Sequence, residues 1–102
     1  MAKAKFKFND KTGREWTIHL TDSVLGEIKR LFAVDLRLIE DVRSLADDPA
    51  LLVNCIYVAC REQADKRGVS DIEFGTSLAS GKAIDAATVC ILKECRRHKN
   101  KR

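Results

Sequence analysis

The chain has 102 residues, 45 % hydrophobic and 33 % charged, enough for one domain that buries roughly two thirds of its unfolded surface but not for a second core. Five glycines and one proline are too few for a fibrous or disordered class, and no apolar run approaches the roughly 18 residues of a membrane span. The formal net charge of +4 divides unevenly, because Lys3, Lys5, Lys7 and the segment 93–102 are basic while residues 8–92 carry a net −4. A mildly acidic body with basic ends argues against a broad nucleic-acid-binding face. The Lys-rich start alternates with apolar residues instead of leading into a signal-peptide core, so a cytoplasmic location is expected.

The first segment has a period of two. Ala4, Phe6 and Phe8 face one way and the lysines between them the other, and Trp16, Ile18 and Leu20 alternate with Glu15, Thr17 and His19. Between the two runs, Asp10-Lys11-Thr12-Gly13-Arg14 predicts a type I turn that closes with Gly13 in the left-handed region. Pairing Asp10 with Arg14 then sets Phe8 opposite Trp16, Phe6 opposite Ile18 and Ala4 opposite Leu20. All the apolar residues land on one face, and a slip of one residue would lose that face.

Helices follow. Thr21 or Asp22 caps a helix with Val24, Leu25, Ile28, Leu31 and Phe32 in one stripe. Asp35 is expected to cap a second helix with Leu38, Ile39, Val42 and Leu45 in the same pattern. Asp48 and Pro49 start a third, whose run Ala50–Cys60 is apolar all round except at Asn54, as expected of a central helix. That helix turns polar at Arg61 and stops at Gly68, with Val69 placed for a Schellman contact. Ser70-Asp71-Ile72-Glu73 reads as a capping box with Val69 and Phe74 as a hydrophobic staple, and opens a fourth helix that ends near Gly81. A fifth runs from about Lys82 to Arg97, and its small residues Ala83, Ala86, Ala87 and Cys90 predict close approach to the Leu51–Cys60 helix. The expected fold class is α+β, a single domain with an N-terminal two-stranded β-hairpin (about 3–20) packed on a bundle of four or five α-helices (about 22–97), followed by a basic tail (98–102).

Three strings carry a family likeness. They are Asp48-Pro49-x-Leu51-Leu52; Tyr57-Val58-x-Cys60-Arg61-x-Gln63-Ala64-Asp65-x-Arg67-Gly68-Val69-Ser70-Asp71-x-Glu73-Phe74-Gly75; and Leu78-Ala79-x-Gly81-x-Ala83-Ile84-x-Ala86-Ala87-Thr88. The pattern resembles small proteins of tailed-phage and prophage structural clusters, usually described as tail assembly chaperones, and is sharpest from Tyr57 to Phe74. The resemblance implies a protein that binds a tail protein such as the tape measure in the bacterial host cytoplasm, without enzymatic activity and without a cofactor. Partner contacts are expected at Arg61, Gln63, Asp65 and Arg67, at the polar end of the central helix, and at Ala83, Ala87 and Cys90, where the slim side of the last helix could admit a partner's helix.

The titratable residues give no catalytic constellation. His19 lies on the outward strand face beside Lys5, and His98 lies in the basic tail. The carboxylate pairs Glu40-Asp41 and Asp47-Asp48 sit on a polar helix face and at a helix start. Gly68 and Gly75 belong to helix boundaries or turns, so no phosphate loop follows a strand. Cys55/Cys60 and Cys90/Cys95 are each five apart, about 140° around a helix, which makes neither a local metal clip nor a local disulfide. They read as buried, reduced and metal-free thiols. Two other functions fit the sequence: a nucleic-acid-binding regulatory module using Lys93–Arg102, and a structural component of the tail.

Overall fold

The computed structural model describes residues 6–78 and 81–99. Two strands, β1 (Phe6–Asn9) and β2 (Glu15–Ile18), are followed by five helices: α1 (Asp22–Phe32), α2 (Ile39–Ala46), α3 (Pro49–Arg67), α4 (Asp71–Leu78) and α5 (Gly81–Lys99). The architecture is the α+β arrangement expected from the sequence.

The strands pair antiparallel with Phe8 opposite Trp16 and Phe6 opposite Ile18, the predicted register; Ala4, the last predicted partner, lies outside the described residues. The turn closes as expected. Gly13 has φ +90° and its N–H donates to the Asp10 carbonyl at 3.0 Å, while the Asp10 N–H donates to the Arg14 carbonyl at 2.9 Å. The sequence did not disclose the part played by the Asp10 side chain, which is buried. Its Oδ1 accepts from the Thr12 N–H (2.9 Å), the Thr12 hydroxyl (2.6 Å) and the Arg14 N–H (3.0 Å); its Oδ2 accepts from Arg14 Nε (3.0 Å) and from Trp16 Nε1 (2.9 Å). Burial opposes the charge, yet the hydrogen bonds from Thr12, Trp16 and the Arg14 backbone outweigh it and hold the carboxyl well below the usual carboxylate range.

Thr21 caps α1 by accepting from the Val24 N–H at 3.1 Å, and the helix ends at Ala33, a non-glycine residue with φ +59°. Asp35 does not cap α2. Its Oδ1 accepts from the Arg37 N–H and its carbonyl from the Leu38 N–H, closing a turn that delays the helix to Ile39. Leu36 consequently takes the core position, and Leu38 and Ile39 stay exposed. The helix α3 begins as predicted, with Asp48 Oδ1 accepting from the Leu51 N–H ahead of Pro49.

The elbow after α3 is a Schellman turn. Gly68 has φ +70°, the Val69 N–H donates to the Ala64 carbonyl (2.9 Å) and the Gly68 N–H to the Asp65 carbonyl (3.3 Å). Ser70 Oγ accepts from the Glu73 N–H at 3.1 Å, but only this half of the capping box forms, because the Glu73 carboxylate turns to Arg14 at 3.3 Å. Val69 and Phe74 are both buried, as a staple requires. Gly75, assigned above to a helix boundary or turn, stands inside α4.

The slim face of α5 packs chiefly on β1, and its approach to α3, the neighbour expected from the sequence, is the smaller contact. Ala83, Ala87, Cys90 and Ile91 are buried there, and the Cys90 thiol donates to the Lys7 carbonyl at 3.1 Å. The reason is geometric: the hairpin needs a cover, and small side chains allow the ribbon to lie close to the helix axis. The helix also continues through Lys99, two residues beyond the expected end at Arg97, with Glu94 and Cys95 buried.

Asp10 provides a direct test. Its folded carboxyl lies below the unfolded value, so its contribution is complete above about pH 4 and is lost as the pH falls below that value. Denaturant titrations should show wild-type stability dropping across that window. Asp10→Asn should cost about 2–4 kcal/mol at neutral pH and show a flatter acid limb, since the Trp16 N–H then lacks its charged acceptor.

Candidate binding groove

The central helix α3 is apolar around most of its circumference and must be covered on several sides. The hairpin and α5 lie to one side, α2 packs along it, and α1 and α4 flank it elsewhere. The flanking pair do not close over the strip Val53, Asn54, Tyr57, Arg61, and an open cleft of about 530 Å³ is left between α1, α3 and α4. Its apolar lining is Leu31 and Phe32 from α1, Val53, Tyr57 and Val58 from α3 and Ile72 from α4; its polar members are Asn54, Arg61, Asp71 and Thr76. Gly75 completes the wall, and a Cβ there would stand 3.8 Å from Val53 Cγ1, an ordinary contact. Asn54, the lone polar residue of the apolar run, marks the side of α3 that faces solvent.

The floor is tied to the hairpin by aromatic contacts. Tyr57 meets Phe74 edge-on at 5.5 Å between centroids, and Phe74 meets Trp16 edge-on at 4.9 Å. At the rim, Arg61 Nη2 lies 3.4 Å from Glu27 Oε2, while Arg30 Nη2 lies 2.6 Å from the same oxygen. The hydrogen bonding from Arg30 holds the Glu27 carboxyl below its ordinary value. This pairing with α1 replaces the Arg61–Asp65 pair that helical spacing suggests. Across the cleft Asp71 Oδ1 accepts from the Ile72 N–H at 2.8 Å, and Asp71 has no ion pair among the described residues.

Of the residues singled out from the sequence, Arg61 lines this groove and the others do not. Gln63 and Arg67 face the hairpin. Gln63 Oε1 accepts from the Thr17 N–H (3.0 Å) and its Nε2 donates to the Thr17 carbonyl (2.7 Å), so one amide side chain takes both backbone groups of Thr17, as a neighbouring strand would. Arg67 donates to the Glu15 carbonyl at 2.7 Å and lays its guanidinium 4.7 Å from the Trp16 ring centroid. Asp65 is exposed. Ala83, Ala87 and Cys90 are buried on α5, which packs chiefly on β1, and Cys90 bonds to that strand.

All four cysteines are free and buried. Burial, reinforced by the charge of Asp48, pushes the Cys55 thiol up to about 11; burial together with the neighbouring Cys90 pushes Cys60 up to about 12, and burial with Cys55 and Glu94 nearby pushes Cys95 up to about 12. Among the described residues no group of three or more His, Cys, Asp or Glu side chains could hold a metal ion, and no helix is long and apolar enough to cross a membrane. The His19 side chain is partly exposed, but its Nδ1 is buried without a hydrogen-bond partner among the described residues, 3.8 Å from Oε2 of the buried Glu94, which accepts from the Leu20 N–H at 2.8 Å.

Comparison of the chain with protein-family models, curated proteins and solved structures gave no match.

Gln63→Ala should destabilise the fold by about 1–3 kcal/mol in urea titrations, because it strands the Thr17 N–H and leaves the Thr17 carbonyl only the weak Cys60 thiol donor, and hydrogen exchange at the Thr17 amide should accelerate. Thiols so protonated should resist alkylation: iodoacetamide at pH 8 should modify none of them in the folded protein and all four in denaturant. Rapid native labelling would contradict the buried placement.

Proposed function

We propose that the protein is a non-enzymatic binding protein of the tail-assembly-chaperone kind, which holds an apolar helical segment of a phage tail protein such as the tape measure in the α1–α3–α4 groove. The observation that supports this reading is the open apolar cleft, and Tyr57, Val58, Arg61, Asp71 and Gly75 in its wall all belong to the strings that resemble that family. A groove of this shape suits the helix-in-groove mode, in which apolar anchors at i, i+3/i+4 and i+7 enter the cleft and the polar rim fixes orientation. No cofactor is required. The setting would be the cytoplasm of the bacterial host, and the polar rim of Arg61, Asn54 and Thr76 would allow release when the tail assembles.

The client contacts are accordingly placed at Leu31, Val53, Tyr57, Arg61 and Ile72, with Gln63, Arg67, Ala83, Ala87 and Cys90 serving the fold that supports them. Co-expression with a neighbouring tape-measure-like protein should keep that client soluble. Gly75→Leu, which puts a bulky side chain into the cleft, should abolish the effect. Gly75→Ala should raise stability by up to about 1 kcal/mol through helix propensity while weakening capture, a combination that loss of folding cannot produce. Tight binding of duplex DNA at about 0.15 M salt, lost on deleting residues 100–102, would replace this reading with the nucleic-acid module; spontaneous ring formation without client capture would favour the structural component.

A further inference from the structure

The groove carries its own complement. Ile72 is 78 % exposed, the most exposed large hydrophobic residue among those described, and it stands on the lip of an apolar cleft whose opposite lip holds Leu31, 43 % exposed. A projecting side chain and a hole on the same face make that face self-complementary, because a two-fold axis through it puts each copy's projection into the other's hole. The charges follow the same rule. Arg61 lies on the α3 wall and Asp71 on the α4 wall, so a second copy, turned over, brings its acid to the base and its base to the acid. Arg61 touches Glu27 through Nη2 alone and keeps further donors, and Asp71 has no ion pair among the described residues.

We propose that, when no client is bound, the groove is occupied by the same groove of a second copy, forming a two-fold symmetric dimer in which Ile72 of each chain enters the other's cleft and Asp71 of each meets Arg61 of the other. An unrelated helix would have to supply an apolar anchor, an acid and a base at matching positions. A second copy supplies all three. Because projection and hole share one patch, the contact closes at two chains instead of propagating into a filament. The other exposed apolar residues, Leu38 and Ile39 at the start of α2 and Val89 on α5, do not line the groove. Self-association of this kind keeps the cleft from solvent and from indiscriminate partners.

The test uses the full chain in sedimentation equilibrium over a range of micromolar concentrations. Wild type should be a reversible dimer, and Ile72→Asp should be monomeric at the same concentrations, while its thermal unfolding should match that of wild type diluted until monomeric, since the side chain is exposed in the single chain. Arg61→Asp and Asp71→Arg should each weaken self-association by at least about tenfold, as each places like charges together at two symmetric positions. Mixing those two variants should restore the dimer, because each then presents to the other the charge it lacks. An effect of either substitution within its own chain, including loss of the Arg61–Glu27 contact, would not be cured by mixing. A wild-type monomer, a dimer indifferent to Ile72→Asp, or mixed variants that stay monomeric would each overturn the proposal. Client capture is read separately: a monomeric wild type that still solubilises the client removes the dimer and leaves the binding function standing, and a dimer that captures no client does the reverse.

Discussion

The hydrogen bond from Trp16 Nε1 to the buried Asp10 carboxylate is the contact on which the other layers rest. A two-stranded ribbon alone is marginal in water, and this one must also bury an indole with its polar N–H inside the protein. Asp10 meets both needs. It fixes the turn through the Thr12 and Arg14 backbone and gives the indole a charged acceptor. With the ring so held, Phe74 packs edge-on against it and Tyr57 against Phe74, and the guanidinium of Arg67 lies over it. The position of α4, and therefore the width of the groove, is set by an aromatic stack that begins at the turn.

The second constraint is the unpaired edges of the hairpin. A short ribbon exposes outward backbone groups on both sides, and both sides are met here by helix side chains instead of further strands. Gln63 and Arg67 of α3 bond to Thr17 and Glu15 of β2, and the Cys90 thiol of α5 bonds to Lys7 of β1. The ribbon is thereby clamped between the two longest helices. Residues that look like a solvated helix end thus hold the sheet in place. Thiols in such a setting are poor nucleophiles because burial disfavours the thiolate, so their contribution is packing and a weak hydrogen bond.

Because α3 spends its polar end on the ribbon and its buried faces on α5, α2 and the core, one strip is left to α1 and α4, which are too short to close over it. The Schellman elbow holds α4 at a fixed angle, and Arg61, Glu27 and Arg30 tie α1 to α3 on the other side. Both walls of the groove are therefore set before any partner arrives, and a partner would meet a largely preformed site.

The amino-acid sequence by itself determined most of the local structure, the turn at Asp35 that delays α2 excepted. The register followed from alternation and the turn glycine; the starts of α1, α3 and α4 followed from Thr21 or Asp22, Asp48-Pro49 and Ser70; the stop at Gly68 followed from the left-handed conformation that glycine adopts without strain. These rest on contacts between residues a few positions apart, which spacing and residue type encode. Distant partners were not legible. Helical spacing joins Arg61 to Asp65, but tertiary packing gives it to Glu27; composition makes Glu94 a lone acid in a basic end, but packing buries it against the Leu20 N–H. The small residues of α5 announced a close approach without saying to what. The groove was the least legible feature, because Leu31, Tyr57 and Ile72 have the same residue types whether a neighbouring helix covers them or not. Only the relative placement of α1 and α4 on α3, fixed by contacts far apart in the chain, decided that they face an open cleft.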